Sequence, residues 1–124
     1  MWDMVDSEGP RLQHVALVVD DPDAAFVFYR DVLGLKPVDR PDHAPDPGSW
    51  FELGDGHQLH LFKPKDPTQT LPHFGVQVDD LNATLDAIRA GGATVYETEH
   101  QQGFGYQAFV LDPSGNLIEL NQPD

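Results

Sequence analysis

The order of strand-like and helix-like segments predicts an α+β fold of two βαβββ modules in tandem. Three observations predict it. One short pattern occurs twice at an offset of 59 residues. Each copy reads strand, helix, strand and then a hairpin, and helical periodicity is confined to one segment per copy. His14 aligns with His73 and His60 with Glu119. Around them Leu17 aligns with Val76, Asp21 with Asp80, Ala24 with Ala83, Trp50 with Phe109, Gly56 with Gly115 and Leu61 with Leu120. Module one is expected over about residues 12–63 and module two over about 72–122, within one domain from 11 to 124.

Residues 12–19 are short and rich in β-branched side chains, which predicts a strand. Asp21 is a good N-cap and Pro22 fits the first helical position. Ala25, Phe28, Tyr29, Val32 and Leu33 then recur at helical spacing, and Gly34 stops the helix. A short strand follows over Leu35–Asp39, and the prolines between Arg40 and Gly48 predict a loop. Ser49–Leu53 and His57–Phe62 form a hairpin around Gly54-Asp55-Gly56, and Lys63–Pro72 links the modules. The second copy predicts a strand at His73–Val78 and a helix capped by Asp79 or Asp80, with Leu81, Leu85 and Ile88 on one face. Gly91-Gly92 ends that helix. A strand at Ala93–Glu97 precedes a hairpin of Gly105–Leu111 and Asn116–Asn121 around Pro113-Ser114-Gly115. Three-residue hairpin loops place glycine in the left-handed region, which suits Gly56 and Gly115.

Side chains alternate along a strand, so each candidate ligand has a predictable face. His14 shares its face with Leu12, Ala16 and Val18, leaving Val15, Leu17 and Val19 to pack on a helix. His60 lies with Gln58 and Phe62, opposite Leu59 and Leu61. His73, Gly75 and Gln77 oppose Phe74, Val76 and Val78, while Leu117, Glu119 and Asn121 oppose Ile118 and Leu120. The hairpins pair Trp50 with His60 and Phe109 with Glu119, so Trp50, Gln107 and Phe109 look into the same cavity. Tyr106 and Phe104 are further candidates to shape an apolar substrate pocket, in a glycine-flanked stretch suited to a lid. His43, His57 and His100 read as exposed.

A lone strand histidine is usually structural, and an unpaired inward glutamate is costly to bury. Three histidines and one glutamate at matching positions of a repeat point instead to a metal site of His14, His60, His73 and Glu119. The chain has no cysteine, so thiolate ligands, disulfides and a cysteine nucleophile are excluded. The donor set suits Zn, Ni, Co, Mn or Fe.

Bulk properties narrow the partners. A formal charge of -14 argues against nucleic acid and anionic membrane surfaces. No apolar run approaches the roughly 20 residues that span a bilayer. The first ten residues carry no signal-peptide pattern and are expected to be a flexible acidic tail, which favours a cytoplasmic location.

The segments LQHVALVVDDPDAAFVFYRDVLGL, HFGVQVDDL and FVLDPSGNLIEL resemble the vicinal oxygen chelate superfamily, which includes glyoxalase I, methylmalonyl-CoA epimerase, extradiol dioxygenases and bleomycin-binding proteins. The resemblance covers nearly everything from Leu12 to Gln122. It implies that the modules curl into a mixed-sheet cup around a divalent metal, often completed by a homodimer. It also places His14, His60, His73 and Glu119 at ligand positions, with His60 where glyoxalase I commonly has glutamate. The implied activity is that of a lyase or isomerase chelating adjacent oxygens of a small substrate, with proton transfer through an enediolate. Glu119 is then the base, His60 a second catalytic candidate and Glu52 a weaker alternative. Two other readings remain open. His14, His73 and Glu119 alone suit Fe(II) and an extradiol-type dioxygenase, and a metal-free relative would be a drug- or metabolite-binding protein.

Overall fold

The computed structural model describes residues 9–41, 44, 46–66, 72–98, 100, 102 and 105–124. Its strands are β1 (Arg11–Val18), β2 (Lys36–Val38), β3 (Gly48–Gly54), β4 (His57–Phe62), β5 (His73–Gln77), β6 (Val95–Glu97), β7 (Tyr106–Leu111) and β8 (Leu117–Gln122). Its α-helices are α1 (Pro22–Val27) and α2 (Leu81–Ala90). Element order is therefore βαβββ twice, as the repeat predicts. The chain divides into two compact units, one of residues 13–73 and one of the described residues up to 12 together with 74–124. Expectations for Phe104, His43 and most of the amino-terminal tail fall outside the described residues.

In the first unit the strand order is β2-β3-β4-β1. β3 is antiparallel to β2 and β4, and β1 is parallel to β4. In the second the order is β5-β8-β7-β6, with β7 antiparallel to both neighbours. The repeat extends to individual hydrogen bonds. The Val19 amide donates to the Phe62 carbonyl at 2.9 Å, and its counterpart Val78 donates to Asn121 at 2.8 Å. Asp21 accepts from the Ala24 amide at 3.1 Å and Asp80 from Ala83 at 3.0 Å, so both helices carry the same aspartate cap. Asp80, not Asp79, is the cap of α2. The Gln122 side-chain oxygen accepts from the Leu81 amide at 2.8 Å, satisfying another donor at that helix start.

Each unit has its own apolar core on the helix side of its strands. In the first, Phe51, Leu59 and Leu61 are buried against Val15, Val19, Ala25, Phe26, Tyr29 and Leu35. In the second, Val78, Leu81, Leu85, Ala108, Val110 and Leu120 form the core, flanked by Val76, Ile88, Val95 and Ile118. Burial of each large side chain contributes about 1.5–3 kcal/mol. On β3, β4, β7 and β8 these members alternate with Trp50, His60, Phe109 and Glu119, as the expected facing requires. Leu17 and Phe74 are exceptions: both sit on the predicted helix side yet remain exposed.

The helix of the first unit departs from the expected pattern. After Val27 it continues over Phe28–Val32 as a π-helical segment, in which the Leu33 amide donates to the Phe28 carbonyl at 3.0 Å. One extra residue in the turn rotates the following side chains away from the α-helical register. Phe28, Val32 and Leu33, which recur at helical spacing with Ala25 and Tyr29, are 50%, 72% and 57% exposed. Phe26 takes the core position instead.

The first hairpin also differs in detail. Asp55 and Gly56 both have positive φ, 51° and 81°, as a two-residue type I′ turn requires. A register shift between Glu52 and Gly54 takes up the residue that a three-residue loop would have used. The pairing of Trp50 with His60 is unchanged, because the shift lies beyond Glu52. The second hairpin has the expected loop. Gly115 donates to Asp112 at 3.0 Å, Asp112 to Asn116 at 2.9 Å, and Gly115 sits at φ 86°.

Candidate metal centre

The first unit gathers three imidazoles. His14 lies on β1 and is 3% exposed. Its ring centroid is 5.6 Å from that of His73 at an interplanar angle of 84°, and 4.3 Å from that of His60 at 16°. His60 is stacked in turn on Trp50, at 3.7 Å and 6°. Trp50, His60 and His14 thus form a three-ring stack, and His73 meets it edge-on at His14. The strands set this up directly. Trp50 is the cross-strand partner of His60, and Ala16, beside His60 on β1, is small.

Two glutamines fix the ring nitrogens. Gln13 Oε1 lies 3.0 Å from His14 Nδ1, and Gln58 Oε1 lies 2.8 Å from His60 Nε2. An amide oxygen only accepts, so each facing nitrogen carries the proton. A neutral His14 would then keep its lone pair on Nε2, and a neutral His60 on Nδ1. A metal-ligating histidine typically donates its other N–H to such an acceptor, so His14 has the support expected of a ligand. His60 differs. Its ring lies face to face with that of His14, whereas His73 meets His14 edge-on.

In the second unit Glu119 is 8% exposed and Asn121 3%. Asn121 Nδ2 donates to Glu119 Oε2 at 2.8 Å, which offsets part of the cost of burying a carboxylate. Phe109 pairs with Glu119 and Gln107 with Asn121, on the face away from the apolar core. Tyr106 does not join them. It shares its face with Ala108 and Val110, pairs with Gln122, and lines a shallow hollow with Leu81 and Asn82. It is 49% exposed and its ring lies 4.5 Å from that of His100. The reason is alternation: Tyr106 is one residue out of phase with Gln107. Glu52 is exposed beside Gln58, His57 is half-buried, and His100 is exposed and paired with Asp124 at 2.7 Å.

Gln13, Gln58 and Asn121 are the contributors that the sequence reading did not single out. Gln58 and Asn121 each lie two residues from a candidate and therefore on its face, so alternation contained a signal. Gln13 precedes His14 on the opposite face, and nothing in the spacing marks it.

Residues 11–120 match the Glyoxalase/Bleomycin resistance protein/Dioxygenase superfamily. An ethylmalonyl-CoA/methylmalonyl-CoA epimerase of Cereibacter sphaeroides is 32% identical over 90% of this chain and 97% of its own length. A lactoylglutathione lyase of Haemophilus influenzae is 31% identical over 89% and 90%. Among solved structures, methylmalonyl-CoA epimerase from Mycobacterium tuberculosis superposes with a TM-score of 0.71 at 25% identity, covering 91% of this chain and 87% of that one. These relatives are enzymes. No helix among the described residues is long and apolar enough to cross a membrane.

Proposed function

Because the chain belongs to the Glyoxalase/Bleomycin resistance protein/Dioxygenase superfamily, we propose that it is a divalent-metal enzyme that moves a proton α to a carbonyl group. The ligands in this reading are His14, His73 and Glu119, each supplying one donor atom. The observation that carries the reading is the buried His14, its Nδ1 held by Gln13 and its ring edge-on to His73. The donor chemistry fits a borderline cation such as Zn, Ni, Co, Mn or Fe, since it offers imidazoles and a carboxylate and no thiolate. When bound, such an ion polarises a carbonyl and lowers the cost of charge developing on its oxygen.

The chain's own residues do the rest. Glu119 takes and returns the proton, with Asn121 orienting its carboxylate. Trp50, Gln107 and Phe109 line the face on which a small substrate with two adjacent oxygens binds. The names of the relatives favour an epimerase, isomerase or lyase of acyl thioesters over other chemistries. The test is deuterium uptake from D2O at the α-carbon of methylmalonyl-CoA and of lactoylglutathione, with metal content measured in parallel. Exchange that depends on bound metal supports the reading. Protein that binds no divalent metal and exchanges neither compound refutes it, and tight ligand binding in that state would point to a binding protein.

A second reading has a specific observation behind it. With His60 stacked on His14 and outside the group of His14, His73 and Glu119, two histidines and one carboxylate remain, the set used by Fe(II) oxygenases. Anaerobic loading with Fe(II), followed by oxygen uptake in the presence of catechol, separates the two.

A further inference from the structure

The edge strand of the second unit, β6, is short, and its partners fix the direction of every side chain. Val95 packs on the helix-side core, and Glu97 Oε2 accepts from Arg89 of α2 at 2.7 Å. Alternation then turns Tyr96, between them, to the opposite face. There its cross-strand partner is Phe109, and the next partner along the row is Glu119. Thr98 follows on the same face, where its amide and its hydroxyl both donate to the Gln107 carbonyl, at 3.2 and 3.1 Å. Tyr96 is 55% exposed, and its hydroxyl has no hydrogen-bond partner among the described residues. In the first unit the residue that pairs with Trp50 in this way is Val38, which has no hydroxyl to offer.

A lone surface tyrosine needs no explanation. This one ends a row that begins at a buried carboxylate. We propose that Tyr96 is a specificity-determining residue that holds the long thiol arm of an acyl thioester, its ring beside the arm and its hydroxyl hydrogen-bonded to an amide within it. The reach of the row supports this. Two strand spacings of about 4.7–4.9 Å separate Glu119 from Tyr96, so the strip extends about 9–10 Å from the proton-transfer group. A substrate of a few atoms does not span that distance, whereas an acyl group carried on a long thiol does. The Phe109 ring lies between as an apolar bridge, and the Tyr96 hydroxyl and the Gln107 side chain on the adjoining row can each pair with an amide. Thioesters of CoA and of glutathione both carry amides in their arms, so the two share this chemistry. The proposal rests on the reading of Glu119 as the proton-transfer residue, but a binding measurement tests Tyr96 without it.

The experiment measures kcat and KM for α-deuterium exchange on methylmalonyl-CoA, on lactoylglutathione and on the S-methyl thioester of methylmalonate, which has no arm. Tyr96→Ala should raise KM about 10-fold for the armed substrate that the enzyme accepts, and Tyr96→Phe, which keeps the ring, about 3-fold. In both variants kcat should stay within about twofold, and KM for the S-methyl thioester should not move. Which armed substrate responds identifies the thiol. Glu97→Gln, on the other face of the same strand, should change none of these constants. The proposal is overturned if Tyr96→Ala leaves KM for the armed substrates unchanged, or raises KM for the S-methyl thioester equally. If the protein exchanges none of the three compounds, the proton-transfer reading fails and calorimetric titration with the S-ethyl thioethers of CoA and of glutathione decides the role of Tyr96. Binding that Tyr96→Ala weakens about 10-fold supports the arm site. Binding indifferent to Tyr96, or no binding of either thioether, overturns it.

Discussion

The two βαβββ units share their topology, helix caps and hairpin pairings but spend their interiors differently. In the first, α1 buries no residue completely and passes into a π-helical turn with an apolar exposed face. In the second, α2 buries Leu81 and Leu85 and ends at Gly91-Gly92. On the other side of the strands the order reverses. The first unit has three aromatic rings stacked face to face and a third imidazole beside them, while the second offers a single carboxylate held by Asn121. One backbone plan therefore carries a ring-rich half and a carboxylate half. Equivalent positions in a repeat inherit the same place and face, but not the same partners.

Several measurements bear on that contrast. The largest effect is expected at the ring-rich half. His14→Ala with His73→Ala should reduce bound metal from roughly one equivalent to near none by elemental analysis, whereas His60→Ala should not. Retention of metal by the double variant would remove the asymmetry between the halves. At the carboxylate half, Glu119→Gln should lower turnover by about 10²–10⁴-fold, the usual weight of a positioned proton-transfer group. Full turnover in that variant would transfer the base to the other half.

The helices provide a comparison in stability. Leu85→Ala, at a side chain with 0% exposure, should cost about 2–5 kcal/mol in denaturant unfolding. Val32→Ala on the exposed π-helical turn should stay within about 0.5 kcal/mol. Equal costs would mean that the first helix packs as the second does. The shared caps should behave alike, with Asp21→Ala and Asp80→Ala each costing about 1 kcal/mol.

The smallest effect lies in the second hairpin. Hydrogen bonds from the Asn116 side chain and amide hold the Asp112 carboxyl below its usual range, with a lesser contribution from Ser114. A carboxyl depressed in the folded state stabilises it above the unfolded value of about 4, and that contribution is lost as pH falls through the folded value. Asp112→Asn should lower stability slightly at neutral pH and leave it unchanged at strongly acid pH, flattening the acid limb of a thermal-melt profile. Asp112 is only half-buried, so a large change at neutral pH would show that the loop has another role.

Much of this was legible in the residues alone. A repeat with His14, His73 and Glu119 on alternating strands fixes their face, because the period of a strand is two and apolar neighbours declare the other side. The cap at Asp21 follows from local chemistry, and so does a glycine turn within Gly54-Asp55-Gly56, but not its two-residue length or the choice of Asp80 over Asp79. Composition alone removed thiolates from the site. These features depend on contacts within a few residues.

What the sequence could not decide depends on contacts across strands. Alternation says that His60 points to the same face as His14, but not that their rings stack, since rotation about the side-chain bonds answers to Trp50, Ala16 and Gln58 on that strand and its neighbours. Around the π-helical turn after Val27, Phe26 and Tyr29 both pack on Phe51, a pairing that a helical period counted along the chain does not register. The chain determined which residues share a face; tertiary packing decided which of them meet and which nitrogen each one offers.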